Sequence, residues 1–115
     1  MSSIKDPKVF LHHIQDECGF IIETMRGLSL DDFLSSRLIQ GSMRNSVMII
    51  GEAVAYLPAD FQAEHAEIPW QQIKDTRNRY IHGYFSIDLM RMWTLLRDDI
   101  PALKPKIDRL LNSLE

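Results

Sequence analysis

Apolar residues recur at Phe10, Ile14, Cys18, Ile21 and Met25 in steps of four, four, three and four, the spacing of one helical stripe. Asp6 ahead of Pro7 marks the start of that helix and Gly27 its end. Ser29, with Asp32 three residues on, forms a capping-box pattern for a short second helix with Phe33 and Leu34 turned inward and an end near Ser35 or Ser36. A third stripe runs through Ile39, Met43, Val47, Ile50, Val54 and Leu57, predicting a helix from about Arg37 to the stop at Pro58, with Gly51 offering room for close packing. Residues 58 to 69 read as a connection holding one turn of helix. Pro69 opens a fourth helix that ends near Gly83, and Ser86 is the candidate cap for a fifth that aligns Leu89, Trp93, Leu96 and Ile100. Pro101 and Pro105 are expected to kink or break it before a last turn or two using Ile107, Leu110, Leu111 and Leu114.

No stretch alternates with period two, and no internal repeat is present. The pattern therefore predicts an all-α, up-and-down bundle of four to five helices, with residues 1 to 115 as one domain. Composition agrees: 45% apolar and 25% charged is ordinary for a folded chain and too apolar for disorder. The net charge of -3 argues against broad, charge-driven coating of nucleic acid. Around residue 77 the balance is reversed, because Lys74, Arg77 and Arg79 surround a single Asp75. The single cysteine, Cys18, falls in the apolar stripe and reads as packing in a reducing cytosol. The N-terminus lacks the apolar core of a signal peptide and no segment is long enough to span a bilayer, so a cytoplasmic location is expected.

The fourth helix carries RNRYIHGY at residues 77 to 84. At about 100° per residue, Trp70, Ile73, Tyr80, Ile81 and Tyr84 all fall within about 60° of Arg77, which puts a guanidinium at the centre of the apolar face. Asn78 and His82, four apart, form an adjacent strip, and Arg79 falls on the far side. Two accounts stand on this geometry. In the structural one, Arg77 pairs with a carboxylate such as Glu52, His82 is an exposed histidine near a helix end, and both tyrosines are core. In the functional one, the two strips meet a second surface, such as the same helix of a second copy across a dimer interface, and form a site.

His12 and His13 point about 100° apart and make poor joint metal ligands, and His13, near the apolar stripe, reads as packing. His65 falls in a loop without partners, and Met43, Met48, Met90 and Met92 read as core or interface filler. There is no CxxC, HExxH, Walker or GxGxxG pattern, so no metal or cofactor is expected.

The stretch RNRYIHGY matches RxxxxHxY, with a polar Asn directly after the Arg, and resembles the HEPN superfamily. MRNSVMIIGEAVAYLP, EIPWQQIKDTRNRYIHGYFSIDL and LRDDIPALKP are similar, in the same order, to the HepT-like toxins, so the resemblance covers most of residues 1 to 105. It implies a dimerising helical bundle whose motifs line a shared cleft, and metal-independent endoribonuclease activity that inhibits growth when unopposed. It also implies an MntA-like nucleotidyltransferase antitoxin that attaches AMP to the motif tyrosine. Carried over by position, Arg77, Asn78 and His82 are the expected active site and Tyr84 the expected modification target.

The residue types suit that chemistry. Imidazole can take or give a proton near neutral pH, and two histidines in a dimer allow one base and one acid. A guanidinium offers a planar fork of donors for a phosphate. The alternative expectation is a non-catalytic HEPN subunit that binds and stabilises a nucleotidyltransferase, with Arg77 as an anchor.

Overall fold

The computed structural model describes residues 6–115, and of Tyr84 the backbone alone. Helices account for most of it, and no strand occurs among the described residues. The elements are α1 (Pro7–Met25), α2 (Leu30–Leu34), α3 (Arg37–Ala55), α4 (Ala59–Glu64), α5 (Trp70–His82), a 3-10 turn (Tyr84–Ser86), α6 (Leu89–Thr94), a π-helical segment (Leu95–Asp99) and α7 (Ile100–Leu114). The long helices form the bundle: α1 packs against both α3 and α7, and α5 packs on the other flank of α3.

Helix starts follow local chemistry. Asp6 accepts from the Lys8 amide at 2.9 Å, and Ser36 accepts from the Ile39 amide at 3.1 Å. Ser29 and Asp32 complete a reciprocal capping box, at 3.1 Å and 3.2 Å, as their spacing predicts. These bonds satisfy amide donors that have no intrahelical acceptor. The first helix buries Leu11, Ile14, Cys18, Ile21 and Met25, so Leu11 takes the core place expected of Phe10, whose ring stacks on Tyr56 at 5.3 Å. Burial pushes the Cys18 thiol up to about 12, with Lys104 opposing, which keeps it protonated and inert. Gln15 and Lys104 both donate to Asp108, at 2.7 Å and 2.9 Å, tying α1 to α7 and holding that carboxyl below the usual carboxylate range.

Several local expectations are corrected. Leu34 is exposed, leaving Phe33 as the buried side chain of α2. The connection after Pro58 holds a six-residue helix rather than one turn. Its His65 has partners: the ring packs on Phe61 at 4.6 Å and the carbonyl accepts from Trp70 Nε1 at 2.9 Å. That indole bond closes the loop and sets the start of α5. His13 is exposed rather than packed. The cap of α6 is Asp88, whose carboxylate accepts from the Met90 and Arg91 amides, while Ser86 ends the 3-10 turn.

The prolines break no helix. Pro101 lies in the first turn of α7 and Pro105 inside it. Without an N–H, Pro101 cannot serve the carbonyl one turn back, and the chain widens there: the Ile100 amide bonds to Leu95 O, five residues away, in the π-helical segment. No helix among the described residues is long and apolar enough to cross a membrane.

Candidate active site

The site is assembled on α5, whose path is set by one glycine. A Cβ at Gly51 of α3 would overlap Arg77 Cβ and lie 2.8 Å from its Cγ and 3.0 Å from its Cδ. The Arg77 stem therefore lies directly on the α3 backbone, in a space only glycine leaves. This close approach explains how an arginine occupies the centre of the apolar face of α5: its methylenes pack and its head is carried to the helix edge.

At that edge Arg77 Nη2 donates to Asn78 Oδ1 at 3.0 Å. Arg77 Nε is buried and finds no acceptor among the described residues. The carboxylate partner considered for it, Glu52, is exposed, and Arg77 makes no ion pair among the described residues. His82, one turn beyond Asn78, is exposed and without a hydrogen bond among the described residues. The structure thus brings Arg77 and Asn78 together and places His82 next along the same strip. His82 is exposed, whereas Arg77 is half-buried, with its Nε out of contact with water and its Nη2 on Asn78.

Tyr84 departs from the expected register. Helix α5 ends at His82, Gly83 caps it through its amide to Arg79 O at 2.8 Å, and Tyr84 begins the 3-10 turn. The count of 100° per residue that set Tyr84 on the Arg77 stripe stops applying at Gly83. Its side chain lies outside the described residues. A Cβ at Gly83 would meet Arg79 O at 2.9 Å, so the tight departure from the helix needs glycine there. Of the other residues on the Arg77 face, Trp70 and Tyr80 are buried, whereas Ile81 is exposed. Burial raises the Tyr80 phenol above its ordinary range, with Arg79 opposing, so it stays neutral.

Two features escaped sequence reasoning. Arg44 of α3 donates through Nε and Nη2 to Tyr80 O, at 3.3 Å and 3.1 Å, satisfying a carbonyl that the end of α5 leaves without an intrahelical donor. In the sequence it is one of several polar residues of α3, 36 residues from its acceptor, and nothing marks it out. Second, α5 stands away from α6 and α7, leaving a groove of about 650 Å³ floored by Val47, Ile50, Ile100 and Leu103, with Arg79 and Arg91 among its lining residues. Arg79 thus lies on the flank opposite Arg77, as the helical count predicts. Among the described residues no three of His, Cys, Asp and Glu stand close enough together to hold a metal ion.

Comparison with known proteins adds a lineage to this geometry. A family model described as "HepT-like: Ribonuclease HepT-like" matches residues 14–110. The chain is 35% identical over 108 residues to a "Putative RNase" of Caldanaerobacter subterraneus subsp. tengcongensis, spanning 94% of this chain and 96% of that protein. It is 36% identical over 103 residues to a "Probable ribonuclease HepT" of Thermococcus cleftensis, spanning 90% and 94% respectively. A "Gamma-glutamylcyclotransferase and putative RNase" of Methanocaldococcus jannaschii is 34% identical over 111 residues, 96% of this chain but 50% of that longer protein. No solved structure matches the chain.

Proposed function

The chain belongs to the HepT-like ribonuclease family, and we propose that it is an endoribonuclease toxin using Arg77, Asn78 and His82. The observation that carries this reading is the strip on α5, where the Arg77 fork is held on Asn78 Oδ1 at 3.0 Å and His82 is exposed one turn on. In the reaction the ribose 2′-oxygen attacks the adjacent phosphorus, and its proton passes to a base. The bond from phosphorus to the 5′-oxygen breaks, and an acid protonates that oxygen. His82 of each copy in a homodimer supplies the base and the acid, Arg77 stabilises charge on the phosphoryl oxygens, and Asn78 orients Arg77. No metal takes part in this scheme. Regulation follows from Tyr84: a partner nucleotidyltransferase transfers AMP from ATP to the phenol oxygen with release of pyrophosphate. The added phosphate and nucleoside then obstruct the RNA path.

A second reading is favoured by one observation, the buried Nε and packed stem of Arg77. There, the arginine is a structural anchor and the protein is a non-catalytic subunit that stabilises a nucleotidyltransferase. The two readings separate on RNA cleavage by the purified protein in EDTA. The first expects cleavage by the parent chain and its loss in His82→Ala and Arg77→Ala. Equal cleavage by all three would assign the activity to a contaminant. No cleavage, with Arg77→Ala failing to hold the nucleotidyltransferase, would select the second. Mass measurement after coexpression with the partner is expected to find one AMP on Tyr84.

A further inference from the structure

Arg44 and Gly51 stand two turns apart on α3, and both meet α5. Gly51 takes the Arg77 stem against the α3 backbone, while Arg44 donates through Nε and Nη2 to Tyr80 O, at 3.3 Å and 3.1 Å. One helix thereby grips α5 at two points of the proposed site: at Arg77, where the strip begins, and in the last turn, which carries His82.

The second grip follows from where α5 ends. The carbonyls of a last helical turn have no intrahelical donor, and such an end frays unless something outside the helix serves them. Gly83 serves Arg79 O at 2.8 Å. Tyr80 O, next in line, would take the Tyr84 amide if the helix continued, but that residue begins the 3-10 turn and the Arg44 fork stands in its place. A guanidinium there also complements the negative end of the helix dipole. Ile81 and His82 beyond it are exposed, so their own burial contributes little to holding them. His82 shares a strip with Asn78 only while the turn between them stays helical.

We propose that Arg44 is a positioning residue for His82: by holding the last turn of α5 helical from α3, it keeps the imidazole in register with Arg77 and Asn78 for proton transfer. The inference rests on the ribonuclease reading and deepens it. Arg44 touches no reacting atom in this scheme. Its effect is on geometry, to which proton transfer is sensitive, since a misplacement of about 1 Å can cost about 100-fold in rate.

The test compares the full chain with Arg44→Met, which keeps the apolar stem and removes the donors, and with Arg44→Lys, which keeps a cation able to donate to the carbonyl. RNA cleavage is measured at a temperature where circular dichroism shows every variant folded. The kcat of Arg44→Met is expected to fall roughly 10- to 100-fold with KM little changed, and Arg44→Lys to recover most of the loss. Independently of cleavage, the 13Cα chemical shifts of Ile81 and His82 report whether their backbone is helical. They are expected to move toward unstructured values in Arg44→Met and to stay helical in Arg44→Lys, with residues 70 to 74 unmoved in both. Helical shifts retained at His82 in Arg44→Met would overturn the proposal. So would a rise in KM at unchanged kcat, which would make Arg44 an RNA contact, or an equal loss in both variants, which would assign the effect to side-chain shape. Parent-like cleavage by Arg44→Met sinks this inference alone. A parent that does not cleave, with the His82 shift still lost in Arg44→Met, sinks the ribonuclease reading and leaves Arg44 as the holder of the His82 turn.

Discussion

The position of the Arg77 guanidinium depends on an atom that Gly51 lacks. The nearest atom to a Cβ built there is Arg77 Cβ, which belongs to the rigid root of the side chain rather than its flexible end. Gly51→Ala therefore forces α3 and α5 apart instead of displacing a mobile tip. We expect a loss of about 1–3 kcal/mol, the usual range for overpacking, measured by urea denaturation. The same loss is expected in an Arg77→Ala background, because alanine keeps the offending Cβ. If Arg77→Ala instead relieved the strain of Gly51→Ala, the clash would lie with the outer side chain and this account of the seat would be wrong. RNA cleavage should fall further than stability, since the fork is carried away from Asn78 when the helices separate. The two strips of α5 were legible from residue spacing because helical geometry holds from Trp70 to His82. For Tyr84 that count gives no position, because it runs past the cap at Gly83, where helical geometry ends.

Among the elements, α5 relies on a neighbour to finish its end. Gly83 serves Arg79 O from within the chain, but Tyr80 O is served by Arg44 of α3 through two bonds. Hydrogen bonds to a charged donor contribute about 1.5–3 kcal/mol where they are shielded from water, and this pair is part-buried. Arg44→Ala is expected to lower stability by about 1–2 kcal/mol and to speed amide exchange locally, in the last turn of α5 and at Gly83. Exchange that rises evenly through the bundle, or not at all there, would contradict a clamp at that end. Helix identities and the starts at Asp6 and Ser29 were legible because they depend on neighbours within a few residues, as at Ser29 with Asp32. The clamp was not, since nothing local to Arg44 names an acceptor 36 positions away. The expected break at Pro105 failed for a related reason. A proline removes one helical bond, and the packing of Leu103, Ile107, Leu110 and Leu111 outweighs that loss.

At the scale of the whole molecule, charge separates the proposed site from the rest of the chain. Residues 70 to 91 carry four cations against two carboxylates in a protein of net -3, so under the proposed function the attraction for RNA is expected to come mainly from α5 and its surroundings. That concentration of charge fixes how binding should respond to salt. For single strands the slope of log affinity against log salt is about -0.7 per phosphate neutralised. One protomer using two to four cations should therefore give a slope of about -1.4 to -2.8, and a cleft shared by two protomers up to about twice that. Under the dimeric reading we expect a slope steeper than about -3 for a single-stranded oligoribonucleotide, and Arg77→Gln, counted once in each protomer, should reduce it by about 1.4. A slope between about -1.4 and -2.8 would mean that RNA meets a single protomer, and with it only one histidine. The base and the acid could not then both come from His82, and the two-histidine scheme would fall while the Arg77 and Asn78 phosphate site stood. A slope near zero would remove the phosphate contacts themselves and, with them, the reading of α5 as a ribonuclease strip.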